Sequence, residues 1–135
     1  MKLSFYRLSV LSSILFSLLA IILMFAPDKM LAGWGVELTI AVGLLARRIA
    51  ALYAGLAVMF FMVRNAEHST TRTALIYGTI TGCMILAILG VYEFATEHAT
   101  RGILAAVFIE VALVLAFMYV GCTQKDKSFK NPEKK

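Results

Sequence analysis

"LLARRIAALYAG", residues 44–55, places two adjacent arginines, Arg47 and Arg48, inside an apolar run that otherwise extends from Leu38 to Val63. A charged side chain at the centre of a bilayer costs about 2.5–3.5 kcal/mol on insertion scales. The pair therefore marks either the water-facing end of a membrane helix or a site where charge is held inside a bundle on purpose. Which of these applies depends on the rest of the chain.

The surrounding sequence is that of a membrane protein. Of 135 residues, 61% are hydrophobic and 16% charged, against roughly a quarter charged in soluble domains. The mean hydropathy is +0.85. The apolar residues come in blocks. Leu8–Ala26 and Thr73–Tyr92 hold no charged residue, and Gly102–Gly121 holds one, Glu110. Each block is close to the roughly 20 residues that cross about 30 Å of hydrocarbon. With the interrupted run at 38–63, this predicts an all-α, antiparallel bundle of four transmembrane helices with short loops. The spans are expected at about 8–26, 38–63, 73–92 and 102–121, within a membrane domain covering 1–123. The first block follows Lys2 and Arg7 as a signal peptide would, but it is long and lacks a small-x-small cleavage site, so an uncleaved helix is expected.

The basic residues orient the bundle. Nine of the 13 lysines and arginines fall at the N-terminus, in the second loop and in the C-terminal tail. That excess predicts both termini in the cytoplasm of a cell with this chain in its inner membrane. The tail 124–135 is polar, aperiodic and carries Pro132, and it reads as disordered. Its lysines (Lys125, Lys127, Lys130, Lys134 and Lys135) supply most of the net charge of +5, which is therefore no sign of nucleic-acid binding. The expected surroundings are the lipid bilayer, with a lipid-like ligand, a second copy or a membrane complex as partner.

Pro27 ends the first span, because proline cannot continue a helix. Trp34, between Gly33 and Gly35, reads as an interfacial anchor at headgroup level. Ala51 with Gly55, and Gly78 with Gly82, are four apart and share a helix face, the small-xxx-small spacing that lets helices pack closely. Ser69, Thr70 and Thr71 are N-cap candidates for the third span and Thr100 for the fourth. His68 and His98 fall in loops on opposite sides of the membrane. Cys83 and Cys122 are too few and too separated for a zinc site or a disulfide framework. No GxSxG, HExxH, phosphate loop or CxxC is present, so no enzyme activity, metal or cofactor is expected.

Depth links the arginines to the remaining charge. If the second span starts near Glu37 and the fourth near Gly102, then Arg47 and Arg48 lie about 15 Å below the outer surface and Glu110 about 12 Å below it. At matching depth the charges could pair, and this buried Arg/Glu cluster is the favoured reading. Tyr53, Tyr77, Tyr92, Thr79 and Thr81 supply hydroxyls that could join it. In the other reading, Leu38–Ala46 lies flat on the surface and the arginines cap a short span beginning at Ile49.

The layout resembles the small bacterial four-helix membrane proteins of the DoxX-like kind. The similar features are "FAPDKM" closing the first span (residues 25–30), "GLLARRIAALYAG" leading into a small-residue helix (43–55), and two closely spaced final spans. The resemblance covers nearly the whole chain. It implies an antiparallel four-helix bundle in the inner membrane and no assigned activity. The function expected is non-enzymatic binding of a hydrophobic or amphiphilic molecule, or of a membrane partner. The alternative is an oligomeric small transporter or channel subunit in which Glu110 titrates.

Overall fold

A computed structural model describes residues 4–66 and 69–130, with 123–130 by backbone alone. Its elements are α1 (Phe5–Phe25), α2 (Pro27–Trp34), α3 (Ile40–Met62), a 3-10 turn (Val63–Asn65), α4 (Thr70–Ala95) and α5 (Ile103–Lys130). Four segments, Phe5–Phe25, Ile40–Asn65, Thr70–Ala95 and Ile103–Cys122, are long and apolar enough to cross a membrane.

Local chemistry sets the boundaries. Ser4, Thr39 and Ser69 each cap a helix by accepting a hydrogen bond from the backbone N–H three residues on. Pro27 ends α1 and also opens α2, where its fixed φ suits the first helical turn and its missing N–H leaves no donor unsatisfied. Residues 27–34 are thus a short helix rather than a loop. Gly35 closes it at φ 80°, a left-handed conformation suited to glycine. Thr100 does not cap α5; its hydroxyl donates to the Gly33 carbonyl at 2.7 Å, and its N–H to the Trp34 carbonyl at 2.9 Å. A Cβ at Gly102 would collide with the Gly33 carbonyl, so the chain must be bare there for the α4–α5 loop to sit against α2. α5 runs on to Lys130, so residues 124–130 are helical rather than disordered; 131–135 lie outside the described residues.

The long helices pack as two pairs. α1 lies along α3 and α4 along α5, whereas α3 and α4, consecutive in sequence, barely touch. The first pair is knitted by small residues on α1. Ser9 and Ser12 are fully buried, and Ser13 Oγ donates to the Ala57 carbonyl at 2.9 Å. In the second pair a Cβ at Gly90 would meet the Val107 side chain at 2.5 Å, so it is the missing side chain that lets α4 and α5 approach.

Three phenylalanines join the pairs. Phe16 of α1 stacks on Phe60 of α3 with centroids 5.7 Å apart, and Phe60 meets Phe117 of α5 at 5.5 Å. Leu75 and Ile76 of α4 and Val120 of α5 complete this core. Lipid tails are as apolar as leucine, so such contacts stabilise through close packing rather than through exclusion of water. At the end where α1 begins, the Arg72 guanidinium lies 3.9 Å from the Phe5 ring centroid.

Candidate functional site

The opening arginines lie on the eighth and ninth residues of one continuous helix, α3. Residues 40–46 therefore do not form a separate surface helix. Nor does either arginine reach Glu110. The core face of α3 is formed by Ala46, Ala50, Ala57 and Phe60, and both arginines are exposed off that face. Among the described residues the ion pair that forms is His98, in the α4–α5 loop, with Glu93 on the last turn of α4, at 3.1 Å. His68 lies outside the described residues.

Helix register supplies the physical reason. Phe60 and Phe117 are level, and an equal rise along α3 and α5 brings Tyr53 level with Glu110. Arg47 then stands about 9 Å farther toward the α2 end. The expectation of matching depth counted from each helix start, but α3 starts farther out than α5. Beside Leu23, which packs on Ala46 and Ala50, the arginines sit near the end of α1 at Phe25. Arg47 borders a recess of about 410 Å³ there with Pro27, Thr39 and Leu44.

Glu110 has different neighbours. Helical register sets it level with Tyr53 on α3 and, counted from the close approach of Gly90 to Val107, about one turn of α4 from Cys83. Its Oε2 atom is buried and makes no hydrogen bond. Of the five hydroxyl candidates, Tyr53 is the one that the register of α3 against α5 sets at its level. Tyr53 is half-buried and stacks on Phe16 with centroids 5.8 Å apart. Thr79 spends its hydroxyl on the Leu75 carbonyl at 2.8 Å, and Tyr77, Thr81 and Tyr92 are exposed.

Tyr53 and Cys83 also line a groove of about 860 Å³ in the gap that α3 and α4 leave open. Leu56 and Met59 form one wall and Gly78 and Gly82 the other. A Cβ at either glycine would find no atom within 4 Å. Their expected role in tight helix packing is therefore not played within this chain; they widen the groove. Ala51 and Gly55, the other expected packing pair, are exposed on α3. Trp34 is half-buried where α2 meets the α4–α5 loop.

Sequence reasoning passed over two parts of this arrangement. Cys83 reads as one more small apolar residue in a span, with nothing in its neighbours to mark the carboxylate across from it. The serines at 9, 12 and 13 carried a usable signal, since small residues at helical spacing on α1 mark its packed face. Comparison with protein-family models, curated proteins and solved structures finds no match.

Proposed function

We propose that this chain is a non-enzymatic, multi-pass inner-membrane protein that binds a hydrophobic or amphiphilic molecule in the groove between α3 and α4. In this reading the four long helices cross the membrane alternately, as an antiparallel bundle with both termini in the cytoplasm. Trp34 and the arginines of α3 then lie toward the outer interface. The excess of lysine and arginine at the terminal end supports that orientation. So does the layout shared with DoxX-like proteins.

The observation that carries the proposal is the groove itself. Its lining holds no Lys, Arg, Asp or Glu, its volume is within the range that takes a small ligand, and glycines keep one wall open. The test is occlusion. Gly82→Leu fills the groove from a position with free space around it, so the fold is expected to survive. Native mass spectrometry of protein released from mild detergent should show a bound apolar molecule on the wild type that is lost from Gly82→Leu. Equal occupancy of both would place the ligand elsewhere.

A second reading is favoured by the buried, unbonded Oε2 of Glu110: an oligomeric transporter or channel subunit in which Glu110 takes part in translocation. It requires flux in proteoliposomes that disappears in Glu110→Gln. Retained flux in that variant would reject it.

A further inference from the structure

Arg47 is an exposed charge on a helix of membrane-spanning length, and among the described residues it has neither an ion pair nor a hydrogen bond. It lines the recess of about 410 Å³ at the α2 end, and no other charged side chain does. Leu38, Ile40 and Leu44 form apolar walls there. Thr39, also in the lining, accepts from the Val42 N–H through Oγ1 and keeps its own proton to donate. Gly43 holds the recess open, since a Cβ there would meet the Leu38 side chain alone, at 3.5 Å. Arg48 is turned about 100° round the helix from Arg47, off the recess.

Farther from the α2 end the same face of α3 becomes apolar. Ala54, Val58 and Phe61 follow Arg47 at intervals of seven, four and three residues, the spacing of one helix face. With Ser17, Ala20 and Ile21 of α1 they form a trough of about 470 Å³ along the α1–α3 seam. Ala51, small and exposed, stands between trough and recess. Beyond Arg47 the α2 end of the bundle turns acidic: Asp28, Glu37, Glu93 and Glu97 stand there against Lys29 and Arg101. Along one side of the molecule the order is thus apolar trough, cation, acidic rim. A purely anionic amphiphile would suit the cation and oppose the rim, whereas a phosphate with an ammonium beyond it suits both.

We infer that this side of the bundle holds a zwitterionic phospholipid of the phosphatidylethanolamine type. Its phosphate sits on Arg47 and Thr39, its ammonium faces the acidic rim, and one acyl chain lies in the α1–α3 trough. The planar fork of arginine matches a phosphate bidentately, and basic pockets between membrane helices bind lipid head groups. The site lies on another side of α3 from the groove and does not depend on it.

The test is native mass spectrometry of the full chain in uncharged detergent. The probes are phosphatidylethanolamine, phosphatidylglycerol and diacylglycerol with matched chains. The wild type is expected to bind the ethanolamine lipid most tightly and diacylglycerol, which lacks the phosphate, least. Arg47→Gln should lower affinity for the ethanolamine lipid about tenfold to a hundredfold, the range for a lost charged hydrogen bond. Arg48→Gln, which removes the same charge one residue away, should leave it nearly unchanged. Ala54→Phe, which fills the trough from an exposed position, should weaken binding as well. Circular dichroism shows whether the helices are intact, and Arg47→Lys, with the charge but not the fork, recovers part of the affinity and carries the test if Gln fails to fold. Equal losses in the two arginine variants would mean diffuse attraction to charge and would overturn the site. Preference for phosphatidylglycerol, or affinity indifferent to Arg47→Gln or to Ala54→Phe, also overturns it. The groove is tested separately by Gly82→Leu and stands or falls on that result.

Discussion

Phe60 of α3 and Phe117 of α5 are both fully buried and meet with ring centroids 5.5 Å apart. This contact marks the register between the two helix pairs, which Arg72 over Phe5 and the rest of the shared core also hold. It sets Glu110 opposite Tyr53, and it leaves Arg47 and Arg48 too far toward the α2 end to join them. Truncating either ring should therefore cost more than packing alone. Phe117→Ala is expected to lower stability by about 3–5 kcal/mol, as for buried aromatic truncations generally. Phe108→Ala, on a side chain 75% exposed, should stay within about 0.5 kcal/mol. Unfolding in mixed micelles measures both, and equal effects would contradict the packing described.

The glycines divide into two kinds that spacing does not distinguish. Gly90 and Gly102 are places where backbone or side chain comes within contact of the missing Cβ, while Gly78 and Gly82 face open space. Gly90→Leu should unfold or grossly destabilise the α4–α5 pair. Gly78→Ala and Gly82→Ala should leave the melting temperature unchanged or raise it, since alanine favours a helix over glycine by about 1 kcal/mol in water. A loss of stability in the alanine variants would indicate that a second helix packs on that face.

Arg72 is 8% exposed, with its guanidinium over Phe5, one hydrogen bond of 3.5 Å to the Ala66 carbonyl, and a buried Nε that has no partner. A double-mutant cycle of Phe5→Leu and Arg72→Gln should give a coupling of about 1 kcal/mol, a typical cation–π contribution for a partly desolvated pair. Additive effects would mean that the two residues hold the end of the bundle independently.

Much of the architecture was legible because its signals are long and redundant. Blocks of about 20 apolar residues and the stop at Pro27 located four helices in broad outline. What failed was relative placement. Counting depth from each helix start assumed that α3 and α5 begin at one level, and nothing in a single sequence reports their offset. α2 reads as a loop because it is only eight residues long and ends in Gly33-Trp34 before Gly35, although a proline at its first position is a usable sign of a helix. Glu110 stands out in the sequence as the lone charge in its span. Tyr53 is one of five hydroxyls that could join it, but Cys83 is ordinary within its own helix, and nothing in one helix's sequence reports what lies beside it on another.

The most direct test of this arrangement is a set of thermal-stability cycles in detergent that pair Glu110→Gln with Arg47→Leu, Arg48→Leu and Tyr53→Phe. The account predicts that each arginine combines with Glu110 additively, within about 0.5 kcal/mol, and that the coupling appears with Tyr53. Coupling of about 1 kcal/mol or more between Glu110 and either arginine, with none to Tyr53, would contradict it and return the pair to the centre of the bundle.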